Sequence, residues 1–447
     1  MSKLRIEPTI QIDPTFAYYV DRSEASVAAE LRQAGYRAVR YFITDDTEVN
    51  GPLVQALVDQ GIEVWAMTLG NGTYRTANMP SDWRSWRMEL LKPVNDGFER
   101  LSPFSDGYTR WKKAALSKLL RTYPFSGVDI AECYFPEWNG LSTGIYGDIG
   151  PHGLEAFRRF SGGHEMPEFR NKRSPRYYKN DRSRYALWVE CRVESVNRLV
   201  DELVNGVGGI RDSRRDVRVA TWSLAINAGR SGPATLRELQ GLDACAMIRL
   251  VKPDAHMLQT HWPDWTKLWL TPSYVGRYEP YLSAIRSEFP QLPVGIQTDI
   301  GSLPHMRRSA SWLRRFAHET MHQHYSFWTA YEYSIGRSMY TEPPLPLSAT
   351  RVSLECLLIS FSKRIDPDSA AVAAYYVHWA GNGSRQRASV SEVSTDGHQL
   401  LLRSMYWPPG RFELEISGVR DTPERWLVKG QSANVTPGGS VVRVEGC

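Results

Sequence analysis

The sequence predicts an α/β chain, a (β/α)8 TIM barrel followed by a C-terminal antiparallel β-sandwich domain. Short apolar runs alternate with helical patterns over the first three hundred or so residues, the signature of strands joined by crossover helices. Acids, amides and aromatics gather just after those apolar runs, where a barrel keeps its chemistry. After Pro343-Pro-Leu-Pro346 the pattern changes to short alternating strands separated by turn residues, as in a sandwich. The expected domains are residues 1–346 and 347–447.

Residues 9–12 read as the first strand. A helix over 23–34 stops at Gly35, a C-terminal signal, and 38–44 is the second strand. A helix over 52–60 stops at Gly61, and the strand 62–69 follows. A basic amphipathic helix over 111–122 leads to a strand around Val128 and Ile130, β-branched residues that suit a buried strand. A long helix over 186–204 precedes the strand 217–224, and 255–260 is a weaker strand. Helix 278–288 leads to strand 293–299, and helix 311–324 to strand 325–333. That makes eight strands. A doubly wound open sheet is weakened because no Gly-rich phosphate fingerprint follows an early strand. In the C-terminal region, strands are expected over 370–378, 387–394, 399–405, 411–416, 426–429 and 441–444.

Composition bounds the function. The chain has 447 residues and is 42% hydrophobic, enough for a sizeable core, and its 15 Trp and 22 Tyr suit stacking on flat ligands. A net charge of +5 is small for this length and does not point to nucleic acid. No run of 18 apolar residues is present, so no membrane span is expected. The N-terminus has no signal-peptide form, and the five cysteines show neither zinc spacing nor a disulfide framework. A cytoplasmic, reducing location is the expectation.

The most informative stretch is Phe125-Ser-Gly-Val-Asp-Ile-Ala-Glu-Cys-Tyr-Phe-Pro-Glu-Trp138. Asp129, Glu132 and Glu137 crowd the end of a buried strand beside Tyr134 and Trp138. Sugar hydrolysis needs acids to move protons and flat rings to stack on sugar faces. Other strand ends add Asn71, Trp222, His261, Trp262, Asp264, Gln297, Asp299 and Glu332, so polar groups converge on one rim from several strands. Asp45 and Asp46 read as caps of the next helix. Metal binding through Asp129, Glu132, Asp264, His261 and Asp299 lacks any supporting spacing, and no G-x-S-x-G elbow is present. Between Arg158 and Arg184 lies a basic stretch with interleaved Tyr177 and Tyr178. Set over the barrel mouth, it would be compatible with an anionic substrate.

With these motifs the chain resembles β-galactosidase-type clan A glycoside hydrolases. The resemblance covers roughly residues 1–340 and rests on the fourth-strand segment and on Tyr146-Gly-Asp-Ile-Gly-Pro-His-Gly-Leu-Glu-Ala-Phe157. It implies that Glu132 is the general acid/base. Ala131 stands where that clan has Asn, and Thr298-Asp299 ends the strand where it has a nucleophilic Glu. A second resemblance, to chitinase-type barrels, keeps Gly127 and Asp129 but departs at Ser126, Ala131 and Cys133. The expectation is a glycosidase without a cofactor, using Glu132 with Asp299 or Glu332 as nucleophile or base. Its substrate contacts would be Asp129, Tyr134, Glu137, Trp138, Asn71, Trp222, His261, Trp262, Asp264 and Gln297. Alternatives are a catalytically silent carbohydrate-binding barrel and a metal-dependent sugar isomerase or lyase.

Overall fold

The computed structural model describes residues 9–136, 139–379 and 385–446. Eight strands close into a parallel barrel. They are β1 Thr9–Ile12, β2 Ala38–Phe42, β3 Glu63–Leu69, β4 Gly127–Ala131, β5 Arg218–Ala225, β6 Ala255–Thr260, β7 Val294–Asp299 and β8 Phe327–Tyr331. Their order round the barrel follows the chain, and β1 pairs with both β2 and β8 to close it. The crossover helices begin on polar caps. Ser23, Asn50, Ser105, Asp181, Asp243 and Ser309 each accept a backbone N–H of the first turn, satisfying donors that the helix itself leaves open. Asn50, rather than Asp45 or Asp46, caps the second helix. Asp45 instead accepts from Thr47, and Asp46 forms a buried pair with Lys112 at 2.6 Å.

Alternate strand residues point into the lumen. Trp65, Met67, Ala220, Trp222, Met257 and Phe327 fill it. Arg40 enters this apolar layer, ringed by Trp65, Trp222 and Phe327. It is neutralised there by Asp129, as a buried charge must be.

The C-terminal strands are β9 Pro346–Arg351, β10 Cys356–Phe361, β11 Ala374–Trp379, β12 Arg385–Arg387, β13 Glu392–Asp396, β14 Gln399–Arg403, β15 Phe412–Ser417 and β16 Ser440–Val444. They form two antiparallel sheets, β9-β10-β14-β13 and β12-β11-β15-β16. The sheets enclose a core that includes Leu357, Ile359, Phe361, Leu402, Leu414 and Ile416. Three expectations are corrected. The segment 370–378 begins as a helix, Pro367–Val372, capped by Asp366. The run 387–394 is split between β12 and β13, which belong to different sheets. Residues 426–429 are not a strand, because Trp426 turns into the barrel's core and meets Tyr340 edge-on at 5.1 Å.

Candidate active site

A cavity of about 690 Å³ opens at the C-terminal ends of the barrel strands. Each strand contributes to its wall: Gln11, Phe42, Leu69, Ala131, Leu224, Gln259, Gln297 and Tyr331. The loops after the strands add Asp13, Asn71, Tyr74, Glu132, Tyr134, His261 and Trp262.

Glu132 follows β4 directly and adopts φ +50°, a left-handed conformation that a residue with a Cβ rarely takes. Such strain persists where surrounding contacts over-determine it. Here Gly70 N–H donates to Ala131 O at 2.5 Å. Gly70 also packs so close to Cys133 that an added Cβ would lie 2.4 Å from the Cys133 Cβ. Asn71 completes the clamp: its side chain accepts from Tyr134 N–H at 2.9 Å and donates to Tyr134 O at 3.0 Å. Gln259 Nε2 donates to Glu132 Oε1 at 2.8 Å and fixes the carboxyl over the cavity. Burial pushes the Glu132 pKa up, against the opposing pull of Gln259 and Arg100.

The wall around Glu132 presents neutral acceptors and rings. The amide oxygens of Gln240, Gln259 and Gln297 are buried and have no protein donor. Gln297 Nε2 is engaged by Gln11 Oε1 at 3.0 Å, which aims the amide. Trp222 is buried, with its Nε1 donating to Asp129 at 2.9 Å, whereas Trp262 is 59% exposed at the rim. His261 is neutral near pH 7, since burial lowers its pKa to about 4.

Several residues expected at the site do not line the cavity. Asp129 lies one layer below, paired with Arg40 and bracing Trp222. Asp264 Oδ2 accepts from Asn227 N–H and Tyr278 OH, both at 3.0 Å. Asp299 folds back on its own loop, accepting from Gly301 N–H at 2.7 Å, from Ser302 N–H at 2.9 Å and from the Ser302 hydroxyl. Glu332, at φ +56°, accepts from Tyr19 OH, Asp13 N–H and both the N–H and hydroxyl of Ser334. Glu137 and Trp138 lie outside the described residues. No residue of the basic 158–184 stretch lines the cavity. Among the described residues, no group of three His, Cys, Asp or Glu side chains gathers as metal ligands.

Cavity residues not anticipated from the sequence include Asp13, Gln11, Asp96 and Gln240. Asp13 was within reach of the strand-end rule, because it directly follows the expected first strand. Gln240 ends the helix Gly232–Gln240, and no local pattern marks such a residue as facing the barrel mouth.

No protein-family model matches the chain, and no curated protein matches it. Among solved structures it is similar to the β-galactosidase from the psychrophilic Marinomonas ef1, with a TM-score of 0.52 and 11% identity over 73% of this chain and 54% of that one. The chain thus spans about half the length of that enzyme. The glycoside hydrolase domain of PelA from Pseudomonas aeruginosa matches at TM-score 0.39 and 10% identity over 72% of this chain and 93% of that one. The endo-beta-1,4-mannanase from Thermotoga petrophila matches at TM-score 0.39 and 10% identity over 100% and 99%. At such identities likeness speaks for the backbone and not for the chemistry. In fold, the chain is a (β/α)8 barrel carrying a C-terminal β-sandwich.

Proposed function

We propose that this protein hydrolyses a glycosidic bond, with Glu132 as the general acid. The observation that carries the reading is the Glu132 carboxyl itself. It stands at the end of β4, strained into position, and faces the cavity with its pKa raised by burial. A general acid must still hold its proton near the working pH, and burial of a carboxyl acts in that direction. The unpaired amide oxygens of Gln240, Gln259 and Gln297 suit donation from sugar hydroxyls. Tyr134 and Trp262 offer rings to sugar faces, with the buried Trp222, Asn71 and His261 beside them on the wall. Asp299 supports the site from behind by ordering the turn that presents Ser302 to the cavity. The chemistry needs no cofactor.

A second reading is a carbohydrate-binding barrel without turnover. It is favoured by the placement of Asp299 and Glu332, both of which spend their oxygens on neighbouring backbone and hydroxyl donors. A panel of aryl glycosides and polysaccharides, tested with wild type beside Glu132→Gln, separates the two. The amide keeps the shape but has no proton to give, so activity is expected to fall about 10²- to 10⁴-fold with the fold intact. Activity of the variant within threefold of wild type would remove Glu132 from the mechanism. Binding without any turnover would favour the second reading.

A further inference from the structure

Acid catalysis by Glu132 calls for a partner, and the acids that end β7 and the loop after β8 do not line the cavity. Among the described residues, three carboxylates do: Asp13, Asp96 and Glu132. Asp96 is committed to Arg100, whose two terminal nitrogens donate to its oxygens at 3.0 and 2.7 Å. Asp13 is differently placed. It directly follows β1, and its Oδ1 accepts from the Thr15 N–H at 2.9 Å and the Thr15 hydroxyl at 2.6 Å. These two bonds fix the rotamer and leave Oδ2 for other work. The Asp13 backbone N–H donates to Glu332 Oε2 at 2.8 Å, and Glu332 is itself anchored by Tyr19 at 2.5 Å and by Ser334. The buried acid after β8 thus serves to hold the end of β1. In the closed order of eight strands, β1 and β4 are three places apart, so Asp13 and Glu132 approach the cavity from widely separated parts of its wall.

We infer that Asp13 is the base that activates water against the sugar held by Glu132, so that hydrolysis inverts the anomeric centre. This rests on the glycosidase reading above. The Asp13 carboxylate takes a proton from water as the water oxygen bonds to the anomeric carbon. The bond from that carbon to the glycosidic oxygen breaks, its electron pair stays on the oxygen, and that oxygen takes the proton of the Glu132 carboxyl. One water is consumed, and a hemiacetal and an alcohol leave. Inverting enzymes keep the two carboxyls roughly 6.5–9.5 Å apart, which leaves room for the water between the base and the sugar.

The test takes an aryl glycoside that the wild type cleaves and follows the configuration of the first-formed sugar by NMR. Inverted product is expected. Asp13→Asn keeps a turn-forming oxygen but takes up no proton, so kcat should fall about 10²- to 10⁴-fold, with KM within about threefold. The melting temperature of Asp13→Asn, measured beside that of wild type, guards against a folding defect. If Asp13→Asn raises KM as far as it lowers kcat, Asp13 acts only in binding or in shaping the turn and the assignment is overturned. Retained configuration overturns it too. So does an Asp13→Asn variant of near wild-type activity, and if Glu132→Gln is then dead the glycosidase reading survives alone. No turnover of any glycoside by wild type overturns both.

Discussion

Glu332 shows how burial and hydrogen bonding contend at one residue. It is 1% exposed, and burial pushes its pKa up to about 7 even though Tyr19, Asp13 and Ser334 donate to it. The folded state therefore holds this proton more tightly than the unfolded chain, whose carboxyl titrates near 4.5. The stabilising contribution is complete below that value and is lost as pH rises through about 7, a span worth about 3 kcal/mol. Glu332→Gln does not titrate. The stability of wild type relative to Glu332→Gln, measured by urea unfolding, is expected to decline between about pH 4.5 and pH 7. A difference constant across that range would contradict the assignment. Asp129 is the contrasting acid. It too is fully buried, but Arg40 and the Trp222 N–H lie against it, so its burial is tied to the integrity of the lumen.

At the scale of elements, the ends of β3 and β4 act together. Gly70 and Asn71, just past β3, grip Cys133 and Tyr134, just past β4, and Glu132 sits between them. A Cβ at Gly70 would also come within 2.9 Å of the Cys133 Cα, so backbone and not only a side chain would have to move. Gly70→Ala is expected to cost about 1–3 kcal/mol through overpacking, and to lower kcat by displacing Glu132. Thermal unfolding together with kinetics checks this. Unchanged kcat in a destabilised variant would mean that the strand ends can shift without moving the carboxyl. The β5–β6 pair is held differently: His256 lies fully buried between the Thr221 and Ser223 hydroxyls, each 2.9 Å from a ring nitrogen. Burial lowers its pKa to about 3, so it stays neutral in the fold.

Over the whole molecule, the barrel and sandwich share buried structure. Arg364, beyond β10, donates to the backbone carbonyls of Ala17, Tyr18, Val20 and Asp21 in the loop after β1. Lys363 pairs with Asp421 at 2.6 Å, under the Trp426 ring. Trp426 belongs to the C-terminal region yet is 1% exposed within the barrel's core cluster. Trp426→Ala is expected to cost about 3–5 kcal/mol and to lower the melting temperature of the barrel along with that of the sandwich. Calorimetry giving an unshifted barrel transition would show that the barrel does not depend on this ring. Among the described residues, no helix is long and apolar enough to cross a membrane.

The sequence by itself determined the barrel, because hydrophobic periodicity and Gly or polar stops are local and recur with every strand and helix. It also placed Glu132 directly after a buried strand, which is enough to bring it to the mouth. It left β10 unread, since Cys356-Leu-Leu-Ile-Ser-Phe361 is a near-continuous apolar run that fits helix and strand alike. Tertiary structure alone decided which way each strand-end acid turns. Asp299 and Glu332 occupy the strand-end positions expected of a second catalytic carboxyl, yet one bends onto Ser302 and the other onto Tyr19. Asp13 and Gln240 reach the cavity instead. The reason is physical: a strand's period fixes the face of a residue, while the direction of its carboxyl is set by whichever donors the fold brings near. For Glu332 the donor hydroxyl of Tyr19 lies 313 positions away in the chain.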